Sequence, residues 1–130
     1  MYSLTVQKII EIQSWLILQS VQQEDQGMAG LILTSGTLEN LVYYGNTLQN
    51  PHKRAAWMLH GIATRHPFYQ GNKRTALAVA DNILILSPEN LIITAEDEAI
   101  YRFVREIAKN SYVVEEVEDW LIQNSGNLDD

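Results

Sequence analysis

One stretch of the sequence, residues 66–76, combines residue types that could do chemistry on a phosphate. It reads His-Pro-Phe-Tyr-Gln-Gly-Asn-Lys-Arg-Thr-Ala and is followed by the helix-forming run Leu-Ala-Val-Ala. The unpaired backbone N–H groups at the start of a helix, together with the positive end of its dipole, attract anions. Lys73 and Arg74 would add charge-assisted hydrogen bonds to phosphate oxygens, and His66 would accept a proton near neutral pH. The pattern predicts phosphate binding beside a general base.

Each residue of this stretch also has a purely structural interpretation. A lone histidine is often a hydrogen-bonded part of the fold, the two cations could be solvated, and Asn72 could be an N-cap. Cations are unfavourable at the start of a helix unless an anion is bound there, which favours the phosphate interpretation. Phe68 is predicted to lie in the core in either case.

The charge distribution points to the same stretch. The formal net charge is −7, yet no Asp or Glu occurs between Glu39 and Asp81. That window contains five of the nine Lys and Arg residues and all three histidines, which predicts a local positive field suited to a small anion. Chance clustering of surface charges is the alternative. Nucleic acid is not expected as a ligand, because it needs a broad basic face and the flanking segments are acidic.

The other two histidines are not predicted to hold a metal. His52 and His60 are eight residues apart on a predicted helix, and no third ligand type lies near them in sequence. No carboxylate lies near the loop to complete a Ser-His-Asp triad either.

Length and composition limit the architecture. The 130 residues predict a single domain over 1–130 with a substantial core. The absence of cysteine excludes a disulfide scaffold, a thiolate nucleophile and any cysteine-based metal site. No apolar run approaches the length of a membrane span, and the start does not resemble a signal peptide. We therefore expect a cytoplasmic protein that has no contact with membranes.

Apolar residues recur at helical spacing along most of the chain. Asn50-Pro51 is typical of an N-cap followed by proline at the first helical position. Thr94 and Asp97 resemble a capping box, and Leu91-Ile92-Ile93 is predicted as a short strand. The fold class is thus all-α, with one short strand or hairpin allowed. Six helices are predicted, at about 4–23, 37–48, 51–65 and 72–86, one after Thr94, and one ending before Gly126.

The loop resembles the signature of the Fic/Doc family, His-x-Phe-x-(Asp/Glu)-(Gly/Ala)-Asn-(Gly/Lys)-Arg. Lys73 and Leu77 are closer to the Doc (death-on-curing) branch, because Fic enzymes proper usually have Gly and Arg at these two positions. Leu91 to Thr94 and Asp119-Trp120-Leu121 are similar to the C-terminal half of Doc-like domains. The resemblance extends over about residues 4–125 and implies the six-helix Fic/Doc domain.

The resemblance also implies an activity and roles for individual residues. Family members transfer part of a nucleoside triphosphate, such as ATP, to a protein hydroxyl. Typical Fic proteins transfer AMP, whereas Doc is similar to a kinase, phosphorylates a threonine of elongation factor Tu, and is a toxin restrained by a small antitoxin. His66 would be the general base for the Ser, Thr or Tyr hydroxyl. Gly71 and Asn72 would form the anion hole, and Lys73 and Arg74 would hold phosphates, while Phe68 would anchor the loop.

One position departs from the signature. The family's acidic Mg²⁺ ligand falls on Gln70, whose neutral amide oxygen is a weak ligand for a hard cation. The alternative to a working transferase is therefore a degenerate module that binds a nucleotide or a partner without chemistry. A helical scaffold that docks an acidic peptide is a third hypothesis. Ser35 to Asn40 weakly matches a self-inhibitory Fic pattern, but we expect Glu39 to belong to an ordinary helix of the core.

Overall fold

The computed structural model describes residues 3–128, and helices account for most of that range. The helices are α1 (Val6–Gln19), α2 (Ser35–Gly45), α3 (Pro51–Arg65), α4 (Asn72–Ile85), α5 (Asp97–Ala108) and α6 (Val114–Gln123). A short 3-10 helix, Gln23–Asp25, lies between α1 and α2. The prediction of an all-α domain with six helices is confirmed. Residues 1, 2, 129 and 130, which the predicted domain includes, lie outside the described residues.

Two short strands form the only sheet found in residues 3–128. Strand β1 (Leu91–Ile93) pairs in antiparallel register with β2 (Ser125–Asn127), so that Ile92 lies opposite Gly126. β1 was predicted from its apolar residues, whereas β2 was not. The capping box predicted from Thr94 and Asp97 is wrong, because α5 begins at Asp97 and Glu96 is its N-cap. The Thr94 N–H instead donates to the Asn124 carbonyl at 2.7 Å, beside the sheet.

Helix α3 lies at the centre of the core and packs against α2, α4, α5 and α6. Its start agrees with the sequence: Pro51 is the first helical residue, and the Asn50 side chain accepts a hydrogen bond from the Lys53 N–H at 3.0 Å. A Cβ on Gly61 would lie only 2.3 Å from Leu41 Cδ2, so any larger residue there would force Leu41 to move where α2 packs on α3. The buried side chains of this helix include Ala55, Ala56, Met58, Leu59, Ile62 and Ala63.

Helix α4 is buried along the face that packs on α3. Ala76, Val79, Ala80, Ile83 and Leu84 are fully inaccessible to solvent. This burial matters for the site because α4 begins directly after the loop at 66–71. In the described part of the chain, no helix is both long and apolar enough to cross a membrane.

Candidate functional site

The loop begins with a sharp turn at His66. Helix α3 ends at Arg65, and His66 adopts a left-handed conformation with φ 50° and ψ 61°, while its N–H donates to the Ile62 carbonyl at 3.3 Å. Non-glycine residues seldom adopt this conformation, although histidine is enriched among those that do. His66 is exposed, and its imidazole has no hydrogen-bond partner within residues 3–128. Both ring nitrogens are therefore available to an external group.

The middle of the loop is fixed by Phe68 and Asn72. Phe68 is buried in the core, and its backbone forms an isolated antiparallel bridge with Ile32. The Phe68 N–H donates to Asn72 Oδ1 at 2.9 Å, and Asn72 Nδ2 donates to the Phe68 carbonyl at 2.8 Å. The Asn72 side chain thus holds the loop closed. Asn72 is the first residue of α4 and not its N-cap, so the alternative N-cap interpretation is wrong.

Gly71 is the N-cap of α4 and needs to be glycine for two reasons. Its φ is 80°, and a Cβ there would lie 3.0 Å from Ile17 Cδ1. Glycine has no side chain to cap a helix, and no other side chain of the described region takes that role at α4. The first backbone bond closes from the Thr75 N–H to the Gly71 carbonyl at 2.8 Å. The preceding amides at the start of α4, including those of Lys73 and Arg74, are therefore left for an anion.

Arg74 makes a contact that the sequence did not predict. Its two terminal nitrogens each lie 3.0 Å from a carboxylate oxygen of Asp25, which is fully buried. The Ser20 hydroxyl also donates to Asp25, at 2.5 Å. These bonds, first that from Arg74 and then that from Ser20, hold the pKa of Asp25 below its usual value despite its burial. About 39 % of the Arg74 side chain nevertheless remains exposed.

A second unpredicted residue, Gln13, connects α1 to the loop. It is fully buried, and its Nε2 donates to the Gln70 carbonyl at 3.1 Å and to the Met28 carbonyl at 3.2 Å. Its Oε1 accepts from the Gly30 N–H at 2.7 Å. Gln13 thereby fixes the backbone of Gln70 against the α1–α2 connection. A polar residue at helical spacing between buried Ile9 and Ile17 was the signal that could have revealed it.

The residues that the structure describes offer no ready-made cluster of metal ligands. Within residues 3–128, no group of three or more His, Asp or Glu side chains could hold a metal ion. The carboxylate of Asp25 contacts Arg74, but it is fully buried and its oxygens are taken by Arg74 and Ser20. Gln70 alone, with a neutral oxygen, is a poor match for a cation that prefers carboxylates.

The remaining candidates lie away from the loop. His52 Nε2 lies 2.8 Å from Ser125 Oγ, and His60 Nε2 lies 3.1 Å from the Tyr112 carbonyl, so both histidines connect structural elements. Glu39 is exposed on α2. The Glu39 side chain makes no hydrogen bond or ion pair with any residue of 3–128, and the carboxylate that pairs with Arg74 is that of Asp25.

Comparison with models of known protein families identifies a match. The sequence model of the Fic/DOC family matches residues 3–84, more than half of the chain, and this range includes the whole loop and nearly all of α1 to α4. The expected likeness to Doc-like domains beyond residue 84 lies outside the matched range. No curated protein matches the chain.

Proposed function

The chain belongs to the Fic/DOC family, and from that premise we propose that it transfers a phosphate or an AMP group from a nucleoside triphosphate to a hydroxyl of a target protein. One arrangement carries the proposal. The same closed loop presents an exposed His66 imidazole without a partner at one end and the uncapped start of α4 at the other.

The proposed chemistry assigns one task to each end of the loop. His66 takes the proton from a Ser, Thr or Tyr hydroxyl, and the hydroxyl oxygen then attacks a phosphorus atom of the nucleotide. A new O–P bond forms as the bond to the leaving group breaks, which is the nucleoside diphosphate in phosphate transfer and pyrophosphate in AMP transfer, and the proton remains on His66. The amides at the start of α4, aided by Lys73 and Arg74, offset the negative charge of the reacting phosphate.

We further propose that the protein is a Doc-like toxin. Lys73 and Leu77 support this, since they are the two positions at which the sequence follows the Doc pattern rather than the Fic pattern. The proposed target is a cytoplasmic protein similar to elongation factor Tu, and the proposed partner is a small antitoxin. Expression of the wild type should then slow bacterial growth, whereas a His66→Asn variant should not.

The transfer itself is tested with ATP radiolabelled at either the α- or the γ-phosphate. The protein is incubated with each ATP in Mg²⁺ buffer, with elongation factor Tu or a cell lysate as acceptor. His66→Asn is the control, because Asn tolerates the left-handed conformation of residue 66 but is not a base. We expect one of the two labels to become bound to protein with the wild type alone. Equal labelling by both variants, or none by either, would refute the enzyme proposal.

A second candidate function is a nucleotide-binding or partner-binding module without chemistry. The observation that favours it is Gln70, which leaves the loop without an accessible carboxylate. Comparing the wild type with Gln70→Glu separates the two. Transfer that is absent in the wild type and appears in Gln70→Glu supports the degenerate module. Transfer already present and little changed by the substitution supports a working enzyme.

A further inference from the structure

A cavity of about 250 Å³ lies between α4 and α5, beside the start of α4. Three of its lining residues come from the first turns of α4 and three from α5. They are Lys73, Arg74, Leu77, Tyr101, Val104 and Arg105. None of these α5 residues belongs to the loop signature, and α5 lies outside the range that the family model matches.

The cavity carries positive charge that is not neutralised. Arg74 is paired with Asp25, but neither Lys73 nor Arg105 has an ion pair or a side-chain hydrogen bond within residues 3–128. The other arginine of α5 is paired: Arg102 lies 3.4 Å from Glu98. No acidic residue lines the cavity. In a chain of net charge −7, an accumulation of unpaired cations around an apolar cavity requires an explanation.

The helix dipoles explain an unpaired cation at Arg105 but not at Lys73. Arg105 is in the last turn of α5, where a cation is favourable. Lys73 is in the first turn of α4, where a cation is unfavourable unless an anion is bound. The two side chains approach the same cavity from opposite helix ends, and an anion inside it would interact favourably with both.

We propose that this cavity is a second anion subsite, in which Arg105 binds the phosphates of the nucleoside triphosphate that do not react. The inference rests on the proposed function, because it assumes that the reacting phosphate lies at the start of α4. Lys73 and Arg74 belong both to that helix start and to the cavity wall. A polyphosphate chain bound across both would place one phosphate at the amides and further phosphates beside Arg105.

The prediction concerns the difference between long and short phosphate chains. Calorimetry would give the Kd of ATP, of AMP and of inorganic tripolyphosphate for the wild type and for Arg105→Ala. The substitution should weaken ATP and tripolyphosphate by about ten- to a hundredfold, the usual loss for a charge-assisted hydrogen bond. AMP, with a single phosphate, should change by less than about threefold.

Arg102→Ala is the matched control. Arg102 is also an exposed arginine of α5, but it is paired with Glu98 and does not line the cavity, so its loss should leave all three affinities unchanged. Arg105→Lys should recover part of the lost affinity, since the charge is retained. Thermal melts would verify that each variant is folded.

The possible outcomes separate this inference from the proposed function. Wild-type binding of ATP and tripolyphosphate with no change in Arg105→Ala would overturn the subsite alone. Equal weakening of ATP and AMP, with tripolyphosphate unaffected, would place the nucleoside in the cavity and also overturn it. A wild type that binds neither ATP nor tripolyphosphate would overturn both the subsite and the proposed function.

Discussion

Replacing Asp25 with Asn should destabilise the fold by removing one charge of a buried ion pair. The carboxylate is fully buried and accepts hydrogen bonds from Ser20 and from both terminal nitrogens of Arg74. An Asn of the same shape can accept at one side-chain oxygen only, and its NH₂ group would face a donor. At least one hydrogen bond to a charged partner is therefore lost.

The expected cost is about 2 kcal/mol. A lost hydrogen bond to a charged group costs about 1.5–3 kcal/mol, whereas breaking a fully buried ion pair costs about 3–5 kcal/mol. The lower range applies because 39 % of the Arg74 side chain is exposed and water can solvate the remaining charge. For a chain of this length, such a cost lowers Tm by roughly 5–10 °C.

The pH dependence identifies the ion pair as the cause. The pKa of Asp25 is lowered in the folded protein, first by Arg74 and then by Ser20, so the stabilisation is complete above its unfolded pKa. It is lost as the pH falls through the still lower folded pKa. The gap between wild type and Asp25→Asn should therefore be constant near neutral pH and should shrink below about pH 4.

Urea denaturation at a series of pH values measures this gap. Glu24→Gln is the control, because it removes the neighbouring carboxylate, which is exposed and has no recorded partner in residues 3–128. It should change the free energy of unfolding by less than about 0.5 kcal/mol. Equal midpoints for wild type and Asp25→Asn at neutral pH, or a gap that stays unchanged into acid, would refute the reasoning.

Two further stability predictions follow from the geometry. Gly71→Ala should lower the free energy of unfolding by about 1–2 kcal/mol because alanine is strained at this positive φ, and the new Cβ would also press against Ile17 Cδ1. Ile17→Val as a background removes that Cδ1 and should relieve only the part of the cost due to the contact. Urea midpoints for Gly71→Ala equal to those of the wild type would contradict this prediction. Burial lowers the pKa of His52 in the folded state. As the pH falls, the unfolded chain therefore takes up a proton before the folded protein does, and the free energy of unfolding of the wild type should decrease once the pH is below about 6.5. His52→Gln should lose that acid sensitivity in thermal melts at pH 7.5 and 5.5, and an identical pH response would speak against the assignment.

The helices could be predicted because their signals are local. Asn50 and Pro51 define the start of α3. In α4 and in α5, the buried apolar residues lie within a few positions of one another in sequence, so the pattern shows which face of each helix is buried. β2 could not be predicted in this way. Ser125-Gly126-Asn127 has no strand-forming side chains, and the segment is extended only because β1 offers backbone partners.

In the site, too, the sequence predicts what is local but not what depends on tertiary packing. The loop residues from His66 to Arg74 are contiguous, so their proximity required no tertiary information. The partner of Arg74 lies 49 residues earlier in sequence, and nothing in the spacing of Asp25 marks it as that partner. The place of Arg105 in the cavity likewise depends on how α5 packs beside α4, which the sequence pattern leaves undetermined.

The position of α6 and β2 has a consequence for synthesis on the ribosome. Both elements come after every other described element, yet Val117 and Leu121 of α6 are fully buried and α6 packs on α3. During translation, the face of α3 that α6 covers stays open to solvent until these late residues emerge. A stalled or prematurely ended nascent chain would thus present an uncovered apolar helix face, a natural binding surface for chaperones.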